Sequence, residues 1–314
     1  MDVLTLSGAD VARLLDPDAL VDALADAFAA LTHDEVAAPP RSQVANDAGI
    51  LLSMPAHRPG GPIGVKLVTV FEGNVALGLP SHLALVALFD EATGVPVALM
   101  DGASITAART AGAAALSCRL AARPESRVLA IVGAGVQARA HLAAIPRVRT
   151  IEEIRVASLF PEETASLATL DPRARAVGSI EEAVRGADIV ALCTSSGSPV
   201  IEPDWVVPGT HVTSVGYHPP AGELPPALAA AGHLFVETRR AFEPTPVGCG
   251  ELAGLDPATG TELGEVVLGL RPGRTSPDEI TVYKAMGHAV EDLAAAALVY
   301  ERAMAEGVGV RLAL

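Results

Sequence analysis

Two cationic side chains stand in strongly apolar surroundings. Lys66 lies in Gly64-Val65-Lys66-Leu67-Val68-Thr69-Val70. On a strand it shares one face with Val68 and Val70, while Val65 and Leu67 occupy the other, so both faces read as buried. Arg109 lies in Thr106-Ala107-Ala108-Arg109-Thr110-Ala111-Gly112-Ala113, a helical stretch with hardly any polar surface. A buried cation is costly unless an anion compensates it. Two kinds of anion would serve. One is a structural carboxylate, and Asp101 is the acid nearest to Arg109 in sequence. The other is the carboxylate of a bound substrate, which arginine holds with a bidentate fork. Composition sharpens the case for the lysines: of 22 Lys plus Arg residues, only two, Lys66 and Lys284, are lysine. An ammonium shifts its pKa readily on burial, whereas a guanidinium stays charged.

A second chemical signal is the turn Gly133-Ala134-Gly135-Val136-Gln137-Ala138, which fits G-x-G-x-x-A. The first glycine permits a tight turn, the second lets backbone approach a pyrophosphate, and the small third residue allows close helix–strand packing. The phosphates would sit at the helix N-terminus, where free N–H groups and the dipole favour an anion. Val132 closes an apolar run immediately before this turn, and a helical pattern follows. The expected ligand is NAD(H) or NADP(H). The next strand ends Val156-Ala157-Ser158-Leu159-Phe160, where Ser158 offers neither the acid that marks NAD nor the arginine that marks NADP. Further on, Ala187-Asp188-Ile189-Val190 leads into Cys193-Thr194-Ser195-Ser196, a strand ending in small polar residues. Strand ends of this kind border ligands in parallel sheets.

Positioning these groups requires a particular order of elements. Asp16-Pro17 reads as an N-cap followed by proline at the first helical position, and Leu20, Leu24, Phe28 and Leu31 repeat at helical spacing over 17–32. Segments 50–55, 62–71, 82–89 and 95–100 read as strands, the last two joined by the hairpin turn Asp90-Glu91-Ala92-Thr93-Gly94. An Ala-rich helix follows over 105–122. From Arg127 the pattern alternates: strands at 127–132, 153–158, 188–193, 211–215 and 233–236, with helices after 135 and at 162–170 and 180–186. Alternation of this kind implies a parallel sheet covered on both faces. The stretch 243–260 reads as an ordered surface excursion, and a long helix over 284–305 ends near Gly307 and Gly309.

The bulk properties exclude several classes. With 314 residues and 50% hydrophobic content the chain is long enough for two cores. A formal charge of -15 argues against nucleic acid or anionic membranes as partners. No apolar run reaches the roughly 20 residues that cross a membrane. The N-terminal residues carry no export signal, and Cys118, Cys193 and Cys249 show no metal-ligand spacing, so reduced thiols in a cytoplasm and no bound metal are expected.

Taken in order, these blocks resemble the ornithine cyclodeaminase/mu-crystallin family over nearly the whole chain. The resemblance is carried by Gly64-Val65-Lys66, by Gly73-Asn74 with Gly78-Leu79-Pro80-Ser81-His82, and by Leu99-Met100-Asp101-Gly102. It continues in Thr106 with Arg109-Thr110-Ala111, in Gly133-Ala134-Gly135-Val136-Gln137, and in Asp278-Glu279-Ile280-Thr281-Val282-Tyr283-Lys284 with Gly287 and Glu291-Asp292. It implies an α/β fold in which a Rossmann NAD(P)-binding domain, 123–284, is inserted into a discontinuous α+β substrate and dimerisation domain, 1–122 with 285–314. It also implies a homodimer. The enzymes of the family, among them ornithine cyclodeaminases, alanine dehydrogenases and imine reductases, act on a carbon bearing nitrogen and a carboxylate.

Carried over residue by residue, Arg41, Lys66 and Arg109 match the basic residues that hold the substrate carboxylate. Lys66 also matches the lysine that polarises or protonates at the imine, and Ser81 matches a small hydroxyl near the substrate. Thr110, Gly133, Gly135, Val136, Gln137, Ser158, Thr194, Ser195, Ser196, Gly216, Lys284 and Gly287 make up the expected cofactor side. Cyclodeaminases carry an aspartate in a segment resembling Gly-x-Asp-x-Pro-Gly-Lys. Here the segment is Val215-Gly216-Tyr217-His218-Pro219-Pro220-Ala221-Gly222-Glu223-Leu224, one residue shorter, with His218 near the aspartate position. Cyclodeaminase activity therefore does not carry over at this position. His218 becomes a candidate acid or base, the other reading being a loop histidine that contacts cofactor or solvent. The expected function is NAD(P)H-dependent reduction of an α-imino acid, or the related amino-acid dehydrogenation. The alternatives are an ornithine or lysine cyclodeaminase with bound NAD, and a non-catalytic crystallin-like binding protein.

Overall fold

A computed structural model describes residues 2–218, 221–245 and 247–313. Pro219 and Pro220, in the segment that carries His218, lie outside the described residues. The chain forms two compact units, Met1–Arg109 with His288–Leu314, and Thr110–Gly287. The first opens with β1 (Asp2–Leu6), α1 (Gly8–Leu14) and α2 (Pro17–Thr32), then β2 (Ser42–Asn46), β3 (Gly49–His57), β4 (Ile63–Val70), β5 (His82–Phe89) and β6 (Pro96–Asp101). Helix α3 (Gly102–Ala121) leads into the second unit, which holds β7 (Val128–Val132), α4 (Val136–Val148), β8 (Glu153–Ala157), α5 (Pro161–Ala168), β9 (Ala174–Ala176), α6 (Ile180–Val184) and β10 (Ile189–Leu192). It continues with β11 (His211–Ser214), α7 (Pro226–Ala231), β12 (His233–Val236), β13 (Thr261–Glu262), α8 (Leu263–Val267) and β14 (Thr281–Lys284). The chain then returns to the first unit through α9 (Ala289–Glu306) and β15 (Val310–Ala313).

In the first unit a seven-stranded mixed sheet has the order β15-β1-β6-β5-β4-β3-β2. β1 pairs with β6 in parallel, and β2 through β6 form antiparallel ladders. α2 starts as its sequence requires: Asp16 accepts hydrogen bonds from the backbone of Asp18 and Ala19, and Pro17 takes the first helical position. Its buried stripe includes Leu20, Leu24 and Phe28, and it packs on α9, which in turn covers β3 and β4. α9 begins with a capping box in which His288 and Glu291 satisfy each other's backbone N–H, and it ends at Gly307 in the left-handed region.

The second unit is built on an eight-stranded, all-parallel sheet in the order β13-β12-β14-β11-β10-β7-β8-β9. The sequence runs outward from β7 to β8 and β9 on one side and resumes at β10 on the other. The turns after β7 and β10 therefore flank the switch point, where open parallel sheets bind ligands. The strands read as unbroken apolar runs because both faces are covered: Leu129–Val132 and Ile189–Leu192 are fully buried.

Several expectations are corrected. The unit boundary falls within α3 at Arg109/Thr110, not after residue 122. The reason is that the C-terminal half of the helix belongs to the second core: Ser117 Oγ lies 3.1 Å from His211 Nε2 on β11, and Thr281 Oγ1 on β14 donates to Ala121 O at 3.1 Å. Lys284 ends a strand, and the final helix starts at Ala289. The stretch 243–260 is no surface excursion throughout, because Cys249, Glu251 and Leu252 are buried. Among the described residues no helix is long and apolar enough to cross a membrane.

Gly133 has φ +116°, and a Cβ there would lie 2.5 Å from Cys193 O, whereas a Cβ at Gly135 meets nothing within 4 Å. Gly133→Ala should therefore destabilise by about 1–3 kcal/mol or more, and Gly135→Ala by under about 1 kcal/mol. Thermal unfolding of the two variants checks this, and equal losses would contradict the packing argument.

Candidate functional site

In the first unit, Lys66, Arg109, Glu291 and Asp292 form one buried ion cluster. Lys66 Nζ lies 2.8 Å from Asp292 Oδ2. Arg109 Nε donates to Asp292 Oδ1 at 3.0 Å, and its Nη1 donates to Glu291 Oε2 at 3.0 Å. Lys66 and Arg109 are 3% and 6% exposed. Three elements supply the charges: β4 the lysine, α3 the arginine, and the first turn of α9 both acids. Burial pulls the Lys66 ammonium down to about 8, and the Asp292 carboxylate opposes this shift. Burial alone would raise the Asp292 carboxyl, but Arg109 and Lys66 offset it and hold the group below its ordinary value.

These positions change two expectations. Asp101 is not the partner of Arg109. It accepts a hydrogen bond from Ser104 N at 2.8 Å at the start of α3, while Arg109 lies eight residues on, roughly 12 Å along the helix axis. The strand around Lys66 is not buried on both faces either. Register places Lys66 opposite Met54 and Val86, and this is the covered face, whereas Leu67 on the other is 40% exposed. Arg41 is half-buried and immediately precedes β2. The β2–β3 ladder begins at Ser42 opposite Ser53, so Arg41 falls at the register position beyond it, next to the Met54–Lys66 row. Ser81 stands at the other end of the β4–β5 pair: its Oγ lies 3.1 Å from His82 Nδ1, and His82 pairs with Val70, four residues along β4 from Lys66. The structure thus brings Lys66 and Arg109 together and leaves Ser81 roughly 13 Å away along the strand.

Apart from Thr110 on α3, the expected cofactor residues follow the C-terminal ends of the parallel strands of the second unit. Gly133 N donates to Ala157 O at 2.9 Å, which ties the turn after β7 to the end of β8. Gly135 is the N-cap of α4 with no side-chain cap bond, and Val136 beside it is exposed. Gln137 Oε1 is buried with no hydrogen-bond partner among the described residues. The open Gly135, the uncapped helix start and the unsatisfied Gln137 oxygen fit a pyrophosphate and its neighbouring ribose. Thr110 is buried on α3, Ser195 is exposed, and Ser196 Oγ donates to Ser198 O at 2.7 Å. Gly287 N donates to Glu237 Oε1 at 2.8 Å. The His218 ring packs beside Gly197, where an added Cβ would sit 2.8 Å from its Cδ2. His218 therefore stands with the β10 turn in the second unit.

Lys284 is engaged by protein groups around the turn after β11. Its Nζ donates to Gly216 O at 2.6 Å, Glu251 Oε1 at 2.9 Å and Ser214 Oγ at 3.2 Å, which takes all three ammonium protons. It holds the turn after β11. Buried Glu223 works on the same turn. One oxygen accepts from Thr194 N at 2.6 Å and Thr194 Oγ1 at 2.7 Å. The other accepts from Gly216 N at 2.6 Å, Val215 N at 3.0 Å and Ser214 Oγ at 3.1 Å. Thr194 and Gly216 are thus fixed by a residue that sequence reasoning assigned no role. Asp292, Glu291, Glu251 and Glu237 were missed in the same way. The usable signal was that two buried lysines and a buried arginine each demand an acid.

Fold and site together define an α/β protein with a Rossmann-type unit and another unit built around a buried ion cluster. Residues 1–307 match the ornithine cyclodeaminase/mu-crystallin family, and the chain belongs to that family. It is 39% identical over 261 residues to ketimine reductase mu-crystallin of Mus musculus, covering 82% of each chain. It is 31% identical to alanine dehydrogenase of Archaeoglobus fulgidus, over 99% of this chain and 98% of that one. Among solved structures, the Delta(1)-pyrroline-2-carboxylate reductase of Thermococcus litoralis in complex with NADH and L-proline superposes with a TM-score of 0.92, at 33% identity, covering 98% of this chain and 99% of that one.

Replacing Asp292 with Asn removes one of the two carboxylates that face Lys66 and Arg109 in the buried cluster. The expected loss is about 3–5 kcal/mol of folding stability, measured by urea unfolding. A midpoint equal to wild type would show that the cluster is not held as described.

Proposed function

We propose that this protein is an NAD(P)H-dependent reductase of α-imino acids that also runs in reverse as an amino-acid dehydrogenase. The observation that carries this reading is Lys66: an ammonium 3% exposed, oriented by Asp292 at 2.8 Å, and titrating near pH 8. A group poised there can both give and take a proton under physiological conditions. Arg41, Lys66 and Arg109 hold the substrate carboxylate. The cluster of Lys66, Arg109, Glu291 and Asp292 is neutral overall, which suits a ligand that carries a carboxylate and a protonated imine at once. Lys66 keeps the imine nitrogen protonated, and this makes the imine carbon the better electrophile. Gly133, Gly135, Val136 and Gln137 hold the dinucleotide, with Thr194 and Gly216 lining its path. When bound there, a reduced dinucleotide would supply the hydride that converts the iminium carbon to the amine.

The second-copy reading rests on the sheet of the first unit. Its Lys66 face is covered by α9, but the opposite face presents Leu51, Leu67, Leu83 and Leu85 at 40%, 40%, 46% and 50% exposure. Leu67 pairs with Leu85 and Thr69 with Leu83, so these side chains are contiguous. An apolar patch of this kind marks an interface, and a homodimer through this face is our proposal. Cys118, Cys193 and Cys249 are all free and buried, which suits a reducing cytoplasm.

Four outcomes are expected. NADH or NADPH should be oxidised in the presence of cyclic α-imino acids, or of pyruvate or glyoxylate with ammonia or methylamine. Ammonia release from ornithine without net cofactor change would replace this reading with the cyclodeaminase one. Lys66→Met should abolish turnover with dinucleotide affinity nearly intact; normal turnover would refute its role. Because the ammonium is the proton donor, reductive kcat/KM should hold below pH 8 and fall by about tenfold per unit above it. The oxidative direction, which needs the neutral amine, should rise over the same range. Leu67→Glu with Leu85→Glu should turn a dimer into a monomer in light scattering after gel filtration, and a wild-type monomer would refute the interface.

A further inference from the structure

We infer that the dinucleotide is NAD(H) and not NADP(H), and that the turn between β8 and α5 makes the choice. This rests on the dinucleotide reading above. Ser158, at the end of β8, is occupied within its own turn: its Oγ accepts from Phe160 N at 3.0 Å and lies 2.7 Å from Thr164 Oγ1. It fastens the start of α5. A 2′-phosphate on the adenosine ribose needs a cation here, because a dianion brought to a surface without one loses its water and gains no partner. The turns that border the adenosine half of the site are 133–137, 158–163, 177–182 and 193–198, and they contain no Lys or Arg. All four leave the same edge of the parallel sheet.

What these turns do carry is negative. Glu162 and Glu163 open α5, and Glu181 and Glu182 open α6. Glu162 and Glu163 are exposed. Carboxylates accept hydrogen bonds from ribose hydroxyls and repel a phosphate. The position next to Ser158 is Leu159, 84% exposed, with Phe160 at 61% beside it. Two large apolar side chains left open on the cofactor edge give an adenine ring a surface to cover, and they give a phosphate nothing. The nearest cations beyond these turns in sequence are Arg139, further along α4, and Arg175 on β9, which is paired with Glu153 at 2.9 Å and Glu182 at 3.5 Å. Apolar and acidic side chains thus occupy the place where a 2′-phosphate would require a basic one.

Direct titration of the full-length protein with NADH and with NADPH, followed by nicotinamide fluorescence, tests this without relying on turnover. NADH should bind about 10- to 150-fold more tightly, the range set by losing a charge-assisted contact to the phosphate. Equal affinity, or tighter NADPH, would overturn the inference and leave the dinucleotide reading standing. Binding of neither would overturn both. Leu159→Arg supplies the missing cation and should raise the affinity for NADPH relative to NADH by about tenfold or more. An unchanged ratio in that variant would show that the choice is not made at this turn.

Discussion

Asp292 is shared by two cations, and the first unit is organised around that sharing. Its two oxygens meet Lys66 from β4 and Arg109 from α3, so a strand, a helix and the C-terminal helix α9 converge on one carboxylate. None of the three charges is tolerable in isolation inside a protein. The requirement acts on topology: the acid lies 183 residues after Arg109, so the chain must traverse the whole Rossmann-type unit and come back. The capping box at His288 and Glu291 sets the start of α9, and with it the height at which Asp292 reaches the lysine. A helix that began one residue later would turn Asp292 by about 100° away from its partners.

The second unit solves a related problem with backbone donors. Glu223 takes hydrogen bonds from Thr194, Ser214, Val215 and Gly216, and Glu237 takes them from Met286 and Gly287. Buried carboxylates that accept several N–H groups replace the water these turns would otherwise need. Lys284 then couples the β11 turn to Glu251. The polar groups at the ligand edge of the sheet are therefore held before any ligand arrives, which spares a bound dinucleotide the entropy of ordering them. The two lysines of a lysine-poor chain are both buried in ion pairs, but they differ in kind. Lys284 spends all three protons on fixed partners, whereas Asp292 is the one ion-pair partner of Lys66 among the described residues.

Much of this was legible in the residues. Helix 17–32 was readable from Asp16-Pro17 and a four-residue apolar repeat, and the glycine turn after β7 from three small residues at fixed spacing. The burial of Lys66 and Arg109 followed from their neighbours. What was not legible was the identity of the counter-ions. Acids at the start of a helix, as in Glu291-Asp292, ordinarily serve the helix dipole and face water, so nothing local separates that role from a buried pair. Short strands were missed for a related reason. β9 and β13, of three and two residues, exist because neighbouring strands pair with them, and carry no period of their own. Lys284 was placed on a helix because the apolar pattern around it continues without a break into α9.

The same reasoning explains why Lys66 is a better acid–base candidate than His218, although imidazole is the more usual proton carrier near neutral pH. Function at a fixed substrate atom needs a group whose position is over-determined. Lys66 sits inside a strand, paired on both sides, with its ammonium held by a carboxylate that Arg109 also holds. His218 sits on a turn, in an isolated bridge to Ala221 and with its ring beside Gly197. A strand lysine pulled to about 8 by burial keeps the geometric advantage and acquires the titration range that a lysine ordinarily lacks. The cost of that arrangement is the desolvation of four charges, which two cations and two carboxylates in direct contact offset within an otherwise apolar core.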